Sequence, residues 1–298
     1  MSRPLAFLRP SSIAEAVAML VEHGEDAKVV AGSTALTIML RQRLIEPAAL
    51  VSIGRLPEPE LHSIELRDGE LRIGALVTHR DVERDATVRE RLPVLAETFG
   101  KVANVRVRNQ ATVGGVVAEA DYASDPPAVL LALDAQVDVA GPNGMRSIPM
   151  ADFTLSFYTT VLEPNEIVTA VRVPVPQPGT HAVYHKFVTR SSEDRPCVGA
   201  IAVVRLGPDG RTAEDVRVAV GAASETPQRF TDLEQIAVGT ELGDATLREI
   251  ADGYAERMDM LDDMRGSAWY RDQMVRVWVR RALQDARSAA HAGAAQAA

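Results

Sequence analysis

An α+β fold in two parts is predicted, and three observations predict it. First, the apolar segments Lys28-Val29-Val30-Ala31 and Leu50-Val51-Ser52-Ile53 flank an apolar helix from Ala35 to Met39, a βαβ-like unit. Second, His62 to Leu66 and Glu70 to Gly74 alternate about Asp68-Gly69, which supplies the positive φ angles of a tight hairpin. Third, a stiff connector carrying Pro174, Pro176 and Pro178 precedes three more strands, Val183 to Thr189, Val198 to Arg205 and Val216 to Ala222, and then helices. An antiparallel three-stranded sheet with a helix bundle is expected there.

The remaining elements follow from local signals. Ser12 and Glu15 have capping-box spacing, Ile13, Val17, Leu20 and Val21 recur on one face, and Gly24 stops that helix. Pro57 and Pro59 mark a boundary. Pro93 suits a first helical turn, with Val94, Leu95, Phe99 and Val102 on the buried side. Pro126-Pro127 start a helix through Val129, Leu130 and Leu133; Gln136 to Ala140 reads as a strand before the turn Pro142-Asn143-Gly144. Glu166 to Val173 alternates again, the pattern of a strand. Helices are expected near Asp232 to Ala237, Ala245 to Arg257 and Ala268 to Ala289, after which the small, polar tail Ala290 to Ala298 should fray. The expected domains are 1–176 (subdomains about 1–56 and 57–176) and 177–290, with 291–298 a flexible tail.

Composition removes several functions. With 32 basic and 41 acidic residues the net charge is −9, which argues against nucleic-acid binding. No apolar run of membrane-spanning length and no basic-then-apolar leader is present, so a cytoplasmic location is the expectation. The single cysteine, Cys197, excludes an internal disulfide and a self-held iron–sulfur cluster, and reads as a buried structural thiol. No GxGxxG follows a strand, no GxxxxGK[ST] occurs, and the six histidines form no HExxH.

The stretch Arg108 to Asp125, RNQATVGGVVAEADYASD, organises the chain. Small and polar residues dominate it until the apolar helix resumes at Ala128, which suits a ligand cradle better than a core segment. Thr112-Val113-Gly114-Gly115 reads either as a tight loop or as a turn whose bare amides close on an anion. Gly32-Ser33-Thr34, between strand and helix, reads either as a plain helix start or as a second anion site. Two such turns match a dinucleotide, which has a diphosphate and two ends. Asp121 and Asp125 fit caps for the helix at Pro126, although Asp125 also suits sugar or ribityl hydroxyls. Lys186, between Tyr184-His185 and Phe187-Val188, faces either solvent or a ligand cleft, where its ammonium would stabilise a reduced ring.

Taken in order, Phe7 to Ala16, "AGSTAL" (31–36), "IGALVTH" (73–79), "VRVRNQATVGG" (105–115), "ADYASDPPAVLLAL" (120–133), "PNEIVTAVRVP" (164–174), "YHKFVTR" (184–190) and "DDMRGSAWYR" (262–271) resemble the FAD-binding medium subunits of molybdenum hydroxylases, the carbon monoxide and xanthine dehydrogenase family. The resemblance covers nearly the whole chain. It implies a two-subdomain FAD-binding domain of the PCMH/vanillyl-alcohol-oxidase-like type. Val30, Ala31, Gly32, Ser33, Thr34, Ala35 and Leu36 would wrap the diphosphate from one side, and Thr112, Gly114 and Gly115 from the other. It also implies Asp125 at the sugar or ribityl part, Lys186 near the isoalloxazine, and Phe99 near an aromatic position packing on the adenine. No residue of this chain is assigned a catalytic or metal-binding role.

Further implied are a large partner holding molybdopterin cytosine dinucleotide, a small partner holding two [2Fe–2S] clusters, and a dimer of heterotrimers. Electrons would pass through the clusters to FAD and on to an external acceptor. Val116 stands where the family often has Asn or Ser, and Tyr122 where Pro or Ser is common. A stand-alone FAD reductase of the related fold and a scaffold that has lost its flavin remain as alternative readings.

Overall fold

The computed structural model describes residues 5–297. Strand β1 (Ala6–Leu8) leads into helix α1 (Ile13–His23), capped by Ser12 Oγ on the Glu15 amide at 3.2 Å. The reciprocal half of the cap is displaced: Glu15 accepts from the amide and hydroxyl of Ser11, both at 2.6 Å, rather than from Ser12. Strand β2 (Ala27–Val30), helix α2 (Leu36–Arg41) and β3 (Ala49–Ser52) complete a parallel sheet in the order β1-β3-β2. Ala16, Leu20, Val51, Ile53 and Leu56 form its core.

The second region is built on a five-stranded antiparallel sheet. β4 (Ile64–Arg67) and β5 (Glu70–Gly74) form the expected hairpin, with Asp68 at φ 52° and Gly69 at φ 80°. A helical layer follows: α3 (His79–Arg84), α4 (Ala86–Arg91), α5 (Pro93–Gly100), α6 (Val105–Arg108), α7 (Val113–Glu119) and α8 (Asp125–Ala132). Then come β6 (Gln136–Gly141), β7 (Gly144–Pro149), α9 (Met150–Phe153), the small pair β8 (Thr154–Ser156) and β9 (Thr159–Thr160), and β10 (Ile167–Pro174). The sheet order is β4-β5-β10-β6-β7. β10 is central and buried on both faces from Ile167 to Val171. Its Thr169 hydroxyl donates to Asp138 O at 3.1 Å, and the Thr169 backbone carbonyl accepts from the Ala75 amide.

The last region opens with a three-stranded antiparallel sheet of β11 (Thr180–Phe187), β12 (Val198–Leu206) and β13 (Ala213–Gly221), with β12 central. One face packs on α8 and shares the core of the second region through Tyr184, Ile201, Val203 and Ala219. The other carries α10 (Thr231–Gln235), α11 (Asp244–Arg257) and α12 (Ala268–Ala297). α12 continues to Ala297 instead of ending at Ala289, which corrects the expected fraying; the run AAHAGAAQA is rich in the best helix former. Cys197 is buried.

Candidate functional site

The two glycine turns meet. A Cβ on Gly32 would stand 1.9 Å from Gln110 O and 3.2 Å from Ala111 Cα, so only glycine lets the first turn press against the residues leading into Thr112. Ala31 lines a cleft of about 490 Å³ together with Thr112, Gly114 and Gly115. Ile53, Ala75, Ala118, Tyr158, Thr160 and Leu162 line it too.

The first turn is an amide cradle. Ser33 sits at φ 62°, in the left-handed region, which turns successive N–H groups inward. The amides of Gly32, Ser33, Thr34, Ala35 and Leu36 have no acceptor among the described residues. Ser33 Oγ and Thr37 Oγ1 share a hydrogen bond of 2.7 Å that braces the turn from behind. Val30 precedes it as the last residue of β2.

The second turn differs from the expected loop. Thr112 to Gly115 is the capped start of α7, and three of its amides are already used. Val113 N donates to Val77 O, Gly114 N to Ala75 O, and Gly115 N to Thr112 Oγ1, at 3.0, 2.9 and 3.1 Å. The bare amides anticipated here are therefore corrected to a helix N-terminus with a Thr112 hydroxyl still free to donate its hydrogen. Nor is the stretch mainly a surface cradle: Val113, Val116, Val117, Asp121 and Asp125 are buried. Gly114 is forced, because a Cβ would lie 2.6 Å from Ala75 Cβ, whereas a Cβ on Gly115 would meet only Thr112 Oγ1.

Asp125 and Lys186 lie apart from this cleft and bind each other. Lys186 Nζ donates to Asp125 Oδ2 at 3.0 Å and to Lys101 O at 2.7 Å, while Tyr184 OH donates to Asp125 Oδ1 at 2.7 Å. Burial pushes the Asp125 carboxyl above its ordinary range, against the pull of Lys186 and Tyr184. The solvent-facing reading of Lys186 is thus excluded, and both Asp125 oxygens already accept bonds. Lys186 does line a second cavity of about 730 Å³, with Lys101, Asn104, Arg108, Tyr184 and Trp278 among its walls. Phe99, expected near an adenine, is fully buried in edge contact with His79 at 4.8 Å.

Sequence reasoning missed Glu119, Asp121 and Arg195 as a group. Arg195, from the segment after β11, places its guanidinium 2.6 Å from Asp121 Oδ2 and 3.9 Å from Glu119 Oε1. Burial and then the charge of Asp121 push the Glu119 carboxyl up to about 7, against Arg195. The 3.6-residue period, applied from Thr112, would have found Glu119 one turn above Gly115. His79 was also missed as special: it is buried, neither ring nitrogen has a well-formed hydrogen bond, and burial pushes it down to about 4.

The donor set fits a dinucleotide diphosphate: free amides at the first turn, and at the other the Thr112 hydroxyl beside an open glycine, Gly115. Residues 3–176 match the FAD binding domain in molybdopterin dehydrogenase, and residues 183–286 match the CO dehydrogenase flavoprotein C-terminal domain. The chain is 34% identical over 277 residues to the carbon monoxide dehydrogenase medium chain of Hydrogenophaga pseudoflava, covering 93% of this chain and 95% of that one. It is 33% identical over 275 residues to the alpha subunit of the 6-hydroxypseudooxynicotine dehydrogenase complex of Paenarthrobacter nicotinovorans, covering 92% of each. Among solved structures, Hydrogenophaga pseudoflava carbon monoxide dehydrogenase lacking its Mo-pyranopterin moiety superposes with a TM-score of 0.92 at 34% identity, over 97% of this chain and 99% of that one.

Proposed function

The chain belongs to the family of FAD-binding subunits of molybdenum-containing dehydrogenases, and from that premise we propose that it is the flavin-carrying electron-transfer subunit of a multi-subunit molybdenum hydroxylase. The observation that carries this reading is the row of unpaired amides from Gly32 to Leu36, pressed against Gln110 and Ala111 on the approach to Thr112, next to Ala31, which lines a cleft with Thr112 and Gly115.

In this reading Val30 to Leu36 hold the diphosphate, with Thr112 donating its hydroxyl and Gly115 leaving room for close approach. FAD, when bound, supplies the redox chemistry, and the protein supplies binding, orientation and electrostatics. Two of the three Lys186 ammonium hydrogens are committed to Lys101 O and Asp125; the third is unassigned beside the second cavity. That supports a role for Lys186 in stabilising negative charge on the reduced ring system. Asp125 acts by holding Lys186 there.

Residues 1–176 are the proposed cofactor-binding domain, and 177–290 pack near the flavin and the partners. On the family resemblance we assign two [2Fe–2S] clusters to a small partner and molybdopterin cytosine dinucleotide to a large one, in a dimer of heterotrimers; the single cysteine of this chain is too few to ligate a cluster. Electrons enter from the clusters and leave to an external acceptor. Among the described residues no helix is long and apolar enough to cross a membrane, and we propose a cytoplasmic complex.

The test is to purify the complex through a tag on this chain, then assay extracted FAD, iron, labile sulfide and molybdenum. FAD in ratio with this chain, and the metals with two co-purifying chains, is the expected result. A folded, assembled complex free of flavin overturns the reading, and substrate turnover by the isolated chain overturns the division of labour.

A further inference from the structure

Two lysines of the second cavity hold each other through the main chain. Lys186 Nζ donates to Lys101 O at 2.7 Å, and Lys101 Nζ donates to Tyr184 O at 2.9 Å. Lys101 caps the C-terminus of α5, whereas Tyr184 and Lys186 lie on β11, an edge strand of its sheet. The exchange ties the end of α5 to that edge and sets both side chains in one cavity wall, with Tyr184 between them. The Lys101 ammonium also stands 5.6 Å from the centre of the Tyr184 ring, so its place is fixed by carbonyl and ring together.

The two lysines differ in how their charge is balanced. Lys186 is paired, with Asp125 Oδ2 3.0 Å from its ammonium, and a close pair of opposite charges has little net field at a distance. Lys101 has no ion pair among the described residues, and one of its three ammonium hydrogens is committed, to Tyr184 O. Both Asp125 oxygens are already taken by Lys186 and Tyr184. Elsewhere in the wall, Arg108 is matched by Glu83 at 3.0 Å, and His185 shares a hydrogen bond of 2.9 Å with Asp285. Glu193 is exposed and meets Asn104 Nδ2 only at 3.5 Å, so water weakens its charge. The walls of the two openings are continuous in the chain. Gly100 to Arg108 borders the second cavity, and Gln110 and Ala111, just beyond, press against the first turn.

We propose that Lys101 is a further cofactor-tuning residue, whose unpaired ammonium supplies the net positive charge that favours the reduced, negatively charged flavin ring. Lys186, balanced by Asp125, then supplies a hydrogen bond and not a net charge. This rests on the reading that places the ring beside Lys186. A fixed cation in a partly dry wall acts on developing negative charge more strongly than it would in water, and it does so without any change in the flavin's own chemistry.

The test uses the assembled complex carrying K101M, K101Q, K101R or K186M. Each is assayed for flavin content, for the midpoint potential of the bound flavin and for affinity toward sulfite. Sulfite adds to an oxidised flavin ring and leaves a negative charge on it, so it reports the same field without electron transfer. K101M and K101Q should each disfavour reduction by several-fold up to about tenfold, tenfold being about 30 mV for a two-electron couple, and weaken sulfite binding by a similar factor. K101R keeps the charge and should stay close to the wild type in both. K101Q keeps a donor for Tyr184 O, so it decides alone if K101M fails to assemble. A K101Q complex with wild-type potential and sulfite affinity overturns the inference. So does a K101R complex displaced as far as K101Q, since shape and not charge would then be the cause. If K101Q and K186M are both silent, the ring is withdrawn from this cavity as well; if K186M alone shifts, only the role of Lys101 falls. A wild-type complex without flavin would instead sink the cofactor assignment itself.

Discussion

Lys186 and Asp125 join the C-terminal sheet to the helices of the second region, with 3.0 Å between Nζ and Oδ2 and only 6% and 4% of their side chains exposed. Removing one member strands the other charge away from water. Lys186→Met is expected to lower stability by roughly 3–5 kcal/mol, the usual effect of breaking a buried pair. Adding Asp125→Leu should recover much of that loss, because the desolvated carboxylate is gone. Urea denaturation of the single and double variants closes the cycle. If the double variant is as damaged as the two singles summed, the pair is not what holds the seam.

The three site glycines should fail in different ways. Gly32→Ala and Gly114→Ala drive a Cβ into Gln110 O and Ala75 Cβ, so both should lower the melting temperature as well as flavin content. Gly115 faces open cleft, apart from Thr112 Oγ1 at 2.8 Å. Gly115→Asp should therefore cost little stability yet put a carboxylate against the diphosphate and deplete flavin. Unchanged flavin in purified Gly115→Asp would remove the second turn from the site.

Much of this site is legible in the amino-acid sequence, for reasons that are local. The Asp68-Gly69 hairpin is legible because two positive φ angles in a row admit few residues. The first turn is legible because strand, glycine and helix follow one another within ten residues. Helix α7 is not, since paired glycines are poor helix formers. What secures it there is tertiary: Ala75 O and Val77 O hold the amides of Gly114 and Val113. Without the helix, the spacing of Glu119 from Gly115 has no period to reveal it. The Asp125 to Lys186 pair spans 61 residues and leaves no periodic trace in the chain.

His79 should govern the first stage of acid destabilisation. Its ordinary pKa of 6.5 is pushed down to about 4, mainly by burial, so the unfolded chain binds the proton first. The His79 contribution is full above about 6.5 and is lost as pH falls toward 4, roughly 3 kcal/mol in all, while Glu119, pushed up to about 7, contributes with the opposite sign over much of that window. His79→Leu should remove that loss, so the variant gains stability relative to wild type as pH falls across that window. Calorimetric melting at half-unit pH steps would reveal it, and an unaltered slope in the variant would rule His79 out as the source.

Below that window Asp263 should take over. Despite the cost of burial, Tyr122 OH, the Arg265 amide and Arg271 hold its carboxyl well below the usual range. All three donate at 2.7 Å. Arg271 is itself fully buried and also donates to Cys197 O, Leu261 O and Gly266 O, so among the described residues Asp263 is the carboxylate that balances its charge. Asp263→Asn keeps the shape and removes that charge. At pH 7 it should cost about 2–3 kcal/mol, somewhat less than a fully desolvated pair because one-fifth of Asp263 is exposed. The sign follows from the depressed folded pKa: the contribution is complete above the unfolded carboxyl's ordinary 3.8 and is lost as pH falls toward the folded value. The gap between wild type and variant should thus be constant from pH 7 to 5 and shrink below about 4. A gap that closes between 6.5 and 5 instead would assign the effect to a histidine and not to Asp263.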